Sequence, residues 1–379
     1  RGPVRFGTSF PFAGRRGRLK AMVSSPDDHF AAVRAAVEAC FPVQELWFQD
    51  GRPAFTIRPA PDDKARFLRL REKLDALGVL PLLRRRDGET IVLLAPKPPA
   101  TRTRWAWPIG LFAATLVTTF VAGYLNAQGG CVPGLLSPVA GGVAFSLSLM
   151  AILFCHEMGH KLVSIWRKID ASPPMFIPMP PLPGLAIGTM GAVILTRTPS
   201  PNRDALVELG ASGPIAGFIV AVPILVYGIA HSLVISHAAI VANGCQLTAI
   251  PTPLLVDLLV RWLLHPGPTA DVLIHPMAFA GWVGLLVTAL NLLPASMLDG
   301  GHVMRSVFGP RAHLILSYVA VGVGILFGYW VMSLLILLMI RRGHPGPLDD
   351  CSPVTPAHKA MAAVLIPIFV LSAVPLATL

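Results

Sequence analysis

Hydrophobic positions change their spacing once along the chain, near residue 105. From about 20 to 95 they alternate or recur at helical spacing. QELWFQ, PAFTIRP and ETIVLLAP read as short strands, and DHFAAVRAAVEACF and DDKARFLRLREKLDALG as amphipathic helices. The order, helix then strands then helix then strand, predicts a small α+β domain. Lys97-Pro98-Pro99-Ala100-Thr101-Arg102 follows as a stiff linker. Beyond it, apolar residues run together over lengths that cross a bilayer, at about 105–126, 139–166, 205–234, 276–294 and 360–378. The run 311–340 exceeds one span and is interrupted at Gly324, Gly328 and Tyr329, which predicts two short helices in a tight hairpin. The count is about seven spans, with six and eight as neighbouring counts. The expected architecture is an all-α polytopic membrane domain over 105–379 behind an α+β unit and linker over 1–104.

Composition agrees with this division. The 379 residues are 54% hydrophobic and 13% charged, with a mean hydropathy of +0.64, too apolar for an ordinary soluble domain. Of 31 Lys and Arg, 20 fall in residues 1–104, as do 11 of the 20 Asp and Glu. The net charge of +11 comes with no zinc-finger spacing, RNA-binding signature or basic-aromatic array, so no nucleic-acid partner is expected. Its distribution is topological instead. With the N-terminal unit in the cytoplasm, the second span exits into Lys161, Arg167 and Lys168, and the third begins after Arg197 and Arg203. The fourth then leads to Arg305 and Arg311, and the sixth ends at Arg341-Arg342, while the 235–275 loop carries only Arg261. The expected setting is a bacterial inner membrane, with the N-terminal domain and the site below facing the cytoplasm. Arg1 opens the chain without a leader of signal-peptide form, so a trimmed start is expected. The five cysteines show no CxxC pairing, which leaves a Cys131–Cys245 bond conceivable only if both loops face an oxidising side.

Three polar groups break the apolar pattern of the second span. AILFCHEMGHKLVS at 151–164 places His156, Glu157 and His160 where lipid exacts several kcal/mol for groups without a task. Spaced by four, the two histidines share one helix face and can grip a single Zn²⁺, with Glu157 beside them to take a proton from water at the metal. The plainer alternative is a polar patch that stabilises helix packing. A catalytic zinc takes three protein ligands, and no further His or Glu follows His160 at a suitable spacing. NLLPASMLDGGHV at 291–303 offers Asp299, after a fourth span that runs in the same direction as the second, so the two ends can meet at similar depth. Pro294 is expected to break that span, with Gly300 and Gly301 turning the backbone sharply beside Asp299. His302 reads as a neighbour of the ligands rather than one of them.

HEMGH on one span, with Asn291-Leu-Leu-Pro294 and Leu298-Asp299-Gly300 closing another, resembles the site-2 protease family of intramembrane zinc metalloproteases. GTMGAVILTR at 188–197, LGASGPIAGF at 209–218 and PNRDALVEL before the third span are most similar to its cyanobacterial and plant chloroplast branch. The resemblance covers roughly 105–378 and, more loosely, the N-terminal unit. It implies one Zn²⁺ per chain held by His156, His160 and Asp299, with Glu157 as general base. Asn291 corresponds to the asparagine thought to position substrate or steady the oxyanion; a helix-capping role is its alternative. The implied substrates are transmembrane segments of other membrane proteins, cut within the lipid bilayer as part of regulated intramembrane proteolysis.

A transmembrane helix hides its amides, so it must unwind before it is cut. AIGTMGAVIL at 186–195, rich in Gly and β-formers after a Pro-rich reach, predicts an edge strand or re-entrant hairpin. Its Gly188, Thr189, Met190, Gly191 and Ala192 are placed to pair with an extended substrate; the alternative is that the glycines serve only close packing. Gly210, Gly213, Pro214 and Gly217 read as scaffold. Two other function classes stay open at this point, a catalytically silent chaperone or scaffold derived from such a protease, and a transporter, which lacks the inverted repeat it would need.

Overall fold

The computed structural model describes residues 26–49, 52–99, 104–128, 135–181, 187–236, 250–267 and 270–373. Cys131 and Cys245, and with them the conceivable bond between them, lie outside these residues, as does part of the 97–102 linker. Among the described residues, Cys40, Cys155 and Cys351 are free.

The N-terminal unit orders its elements as α1 (Pro26–Glu38), β1 (Val43–Gln49), β2 (Arg52–Ile57), α2 (Asp63–Asp75), β3 (Val79–Arg86) and β4 (Glu89–Pro96). The strands make one antiparallel sheet in the order β1-β2-β4-β3. β3 was not foreseen. It pairs with β4 through a two-residue turn at Asp87-Gly88, both at positive φ, the backbone that an Asp-Gly hairpin adopts. Phe55 and Ile57 of β2 and Val92 and Leu94 of β4 alternate onto one face. There they meet Val33 and Val37 of α1 and Phe67, Leu70 and Leu74 of α2 in one apolar core. Leu348, from far downstream, completes that core.

Among the described residues, four helices are long and apolar enough to cross a membrane: α3 (Ala106–Gln128), α4 (Pro138–Trp166), α5 (Arg203–Ala230) and α8 (Asp299–Leu326). Between α4 and α5 lies a small antiparallel pair, β5 (Met175–Pro178) and β6 (Thr189–Val193). After α5 come β7 (Leu233–Ser236), a short amphipathic α6 (Leu254–Leu263) and β8 (Ala270–Leu273), which pairs with β7. Two shorter apolar helices, α7 (Pro276–Asn291) and α10 (Pro356–Ser372), flank α8 and α9 (Trp330–Arg342) in sequence. The break expected within 311–340 falls at Phe327–Tyr329, where Gly328 takes φ +79°; Gly324 stays helical. The first limb starts earlier than expected, at Asp299, and is kinked at Gly309 (φ 83°) ahead of Pro310.

Small residues set the helix spacing. A Cβ on Gly123 would stand 2.7 Å from that of Phe145, and a Cβ on Gly159 would run into the Ser212 carbonyl, so α3, α4 and α5 approach closely. Thr119 and Ser146 add a hydroxyl pair at 2.7 Å across the α3–α4 contact.

PNRDALVEL proves to be a junction at the start of α5. Asn202 accepts from the Ala205 amide at 2.9 Å and caps the helix. The Arg203 guanidinium donates to the carbonyls of Ser306 and Val307, just where α8 breaks at Gly309. Asp204 accepts from Lys64 of α2 at 2.7 Å and from the Thr355 amide at 3.0 Å. Glu208 pairs with Arg167 at the end of α4 and with His358 of α10. Arg71 of α2 in turn donates to the carbonyls of Arg167 and Lys168. The N-terminal unit is thereby fastened under α4 and α5. We predict that Phe67→Ala, which empties the centre of the sheet-helix core, costs about 3–5 kcal/mol. Hydrogen exchange on the full chain would read this as lost protection in β2 and β4, with α4 and α5 unchanged.

Candidate metal centre

His156 and His160 lie one turn apart on α4, about two-thirds of the way along the helix, with their rings 5.0 Å apart. Asp299 is the first residue of α8. The chain reaches it through the irregular stretch 292–298, so Pro294 ends α7 as expected. Gly300 and Gly301 differ from expectation: both are helical, and what they provide is room. A side chain on either would collide with the carbonyls of Leu292 and Ser296, so the first turn of α8 can press against the loop that delivers it.

The three expected ligands converge. His156 Nε2 and His160 Nε2 are 3.2 Å apart and lie 3.3 and 3.4 Å from Asp299 Oδ2. Among the described residues this is the one group of three or more His, Cys, Asp or Glu side chains whose donor atoms come this close together. A tetrahedral zinc with ligands at about 2.0–2.1 Å holds those ligands about 3.3 Å from one another, so the triangle has the right edge length. Its electronics also call for a cation. His160 Nδ1 sits 2.7 Å from the Leu209 carbonyl, which fixes the ring proton on that nitrogen and turns the Nε2 lone pair inward. Asp299 Oδ2 is buried with no hydrogen-bond donor of its own. Inward lone pairs around a buried carboxylate oxygen repel one another unless a positive charge sits between them.

Glu157 is buried on the same turn of α4 as His156. Asn291, the last residue of α7, brings its amide nitrogen to 3.4 Å from His156 Nε2, beside the triangle.

The residues read as scaffold turn out to shape the centre. Gly213 lies against the His160 ring, and any side chain there would displace it. A Cβ on Gly217 would stand 3.2 Å from His156 Cβ and Nδ1, and one on Gly210 would stand 2.6 Å from the Asp299 carbonyl. The carbonyl of Leu209 was not anticipated, because backbone groups carry no side-chain signature. The clustering of small residues in LGASGPIAGF was the available sign.

The predicted edge strand exists as β6. Thr189 accepts from the Gly191 amide at 3.0 Å and donates to the Ile177 carbonyl at 2.9 Å, which braces the turn into the strand. Gly188, at φ +83°, packs on the backbone of Thr118 and Thr119 in α3 and accepts from the Thr118 hydroxyl at 2.6 Å. Gly191, also at positive φ (92°), has open space where a side chain would be, so it serves conformation and not packing. Met190 is 68% exposed, whereas Ala192 packs onto the core that β5 shares with Leu149, Met150 and Leu153 of α4, one turn before His156.

The sequence model of peptidase family M50 matches residues 144–335, which takes in most of α4, the β5–β6 pair, α5, α7 and α8. A relative named as a probable zinc metalloprotease, chloroplastic EGY1 of Arabidopsis thaliana, is 30% identical over 254 residues, 64% of this chain and 44% of the relative. Its namesake in Oryza sativa subsp. japonica is 29% identical over 254 residues, and the Arabidopsis protein named as probable zinc metalloprotease EGY2, chloroplastic, is 26% identical over 226. The chain therefore spans less than half the length of these relatives. No solved structure matches. With half of its length matched by the family model and the His156, His160 and Asp299 triangle inside that match, the chain belongs to peptidase family M50, the site-2 protease family.

Proposed function

We propose that this chain is a zinc-dependent endopeptidase that hydrolyses peptide bonds in or near transmembrane segments of other membrane proteins. The observation that carries the reading is the triangle of His156, His160 and Asp299 donors at 3.2–3.4 Å, lodged among membrane helices with Glu157 beside it. The relatives' names supply the identity of the metal.

His156, His160 and Asp299 would hold one zinc ion per chain, the Leu209 carbonyl keeping His160 in the ligating tautomer. Bound there, zinc supplies a Lewis acid that polarises a carbonyl and acidifies a water. Glu157 takes the proton of the attacking water and later passes it to the leaving amine. The Asn291 amide donates to the oxyanion as it develops, an interaction worth about 3–4 kcal/mol where such donors have been removed. The outer edge of β6 is unpaired among the described residues, and an extended substrate would add there as a further strand against Gly188, Thr189, Met190, Gly191 and Ala192.

The reading keeps a multi-pass protein of about seven spans, with α7, α10 and the α8–α9 hairpin joining the longer helices. Its N-terminal unit and its site lie on the basic, cytoplasm-like side of the bilayer. The chloroplastic relatives run against the bacterial inner membrane expected from the sequence, and that assignment is not carried forward. A silent chaperone remains the competing reading. Zinc content combined with chelator-sensitive cleavage separates the two, since a chaperone would cut nothing with the metal in place.

Glu157→Gln is predicted to retain zinc and to lose cleavage of a transmembrane reporter by at least about a hundredfold; full activity in this variant would sink the assignment. Gly213→Ala is predicted to lose zinc, measured as metal per chain after dialysis, because the added methyl occupies the place of the His160 ring. Stoichiometric zinc in that variant would show that His160 is not a ligand.

A further inference from the structure

The segment between α9 and α10 is short, yet it touches three parts of the molecule. Leu348 buries its side chain, 1% exposed, in the core of the N-terminal sheet. Its backbone joins the outer edge of β3 through one parallel bridge: the Leu83 amide donates to the Leu348 carbonyl at 2.9 Å, and the Asp350 amide donates to the Leu83 carbonyl at 3.2 Å. Arg84 donates to the same Leu348 carbonyl at 2.7 Å. On its other side the segment is bonded to the start of α5, with the amides of Leu348 and Asp349 donating to the carbonyls of Ser200 and Pro201. Asp349, fully buried, stiffens it by accepting from the amides of Cys351 and Ser352.

The third contact is with α8. Arg305, 6% exposed, makes a two-pronged pair with Asp350, at 3.0 and 2.6 Å. Three residues earlier on the same helix, His302 Nδ1 lies 2.7 Å from His344 Nε2. The Gly346 amide donates to His344 Nδ1 at 2.9 Å, so the His344 proton is on Nε2 and is given to His302. Burial keeps His344 neutral, its pKa pushed down to about 2. Residues 344–350 therefore grip α8 at two points, three and six residues beyond Asp299. Both lie on the stretch before the Gly309 kink, so the grip bears on the part of α8 that carries the ligand and not on the limb beyond it.

We infer that the 344–350 strap, seated in the N-terminal sheet, positions Asp299 through His302 and Arg305, so that the affinity of the centre for its metal depends on the seating of the N-terminal unit. His302 and Arg305 are positioning residues. The carboxylate enters the triangle from a helix that shares no turn with His156 and His160, and ligand geometry must hold within about 0.5 Å. A strap anchored to a separate folded sheet supplies a reference point that α8 lacks by itself. Anything that shifts the sheet, such as a partner bound to it, would then be registered at the metal.

This rests on the zinc reading above, and the test separates the two. The full chain, in detergent or nanodiscs, is titrated with zinc against a chromophoric chelator as wild type, as Asp350→Asn and as Gly346→Ala. The second variant places a methyl 2.7 Å from Arg305 Nη2 on a residue at φ +69°. Both should bind zinc about tenfold more weakly, as loss of outer-shell support does, while far-UV circular dichroism well below the melting range stays that of wild type. If wild type binds no zinc, the reading of the centre itself fails. If wild type binds and both variants bind equally well, even with a lowered melting temperature, the strap is structural only and the inference is overturned. Failure of both variants to fold overturns it as well, since the strap would then hold the fold and not the site.

Discussion

Everything in the membrane half answers to one electrostatic constraint: three electron-rich donors, one of them a carboxylate, must be held together in a medium that solvates none of them. Without a cation the arrangement is repulsive, and with one it is a deep well. Nothing in α4 alone can impose it, because that helix offers His156 and His160 but no third donor on the same face. The carboxylate comes from elsewhere in the chain, on a backbone irregular enough to reach the two imidazoles yet shielded from lipid. The loop 292–298, the small residues of α5 and the packed first turn of α8 are the structural answers to that demand.

The parts of this design that were legible in the sequence are those written in side-chain chemistry or in long apolar runs. HEMGH sits at helical spacing in an apolar context, and Asp299 is the carboxylate that the alternation of spans brings to the same depth. The predicted amphipathic helices correspond to α1 and α2, and the three strands read from alternation correspond to β1, β2 and β4. β3 was missed because VLPLLRRR neither alternates cleanly nor stays apolar, although the Asp87-Gly88 turn before ETIVLLAP was a sufficient hairpin signal. The span count was the least legible part, since α7 and α10 have 16 and 17 residues and apolar length is their only signature.

What could not be read were relations between distant backbones. The Leu209 carbonyl is invisible in any side-chain pattern, and Gly213 looks like any small residue in a packed span until the His160 ring is found against it. PNRDALVEL was recognisable as a motif, but while Asn202 caps its own helix, Arg203, Asp204 and Glu208 also reach partners more than a hundred positions away, among them Lys64, Ser306, Thr355 and His358. Gly300 and Gly301 show how the same residue can serve two ends: a sharp turn and a close helix packing both call for glycine, and only the backbone angles tell them apart.

Asp299 opens a helix, and this bears on the reactivity of the centre. The peptide dipoles of α8 gather about half a positive charge at the end where the carboxylate stands. That field would draw electron density back from Oδ2, so Asp299 as a ligand would give less to a metal than a carboxylate in mid-helix or on a strand would. A divalent ion held by that carboxylate and the two imidazoles would keep most of its charge unspent. The helix that delivers Asp299 would thus also tune the acidity of a water activated at this centre.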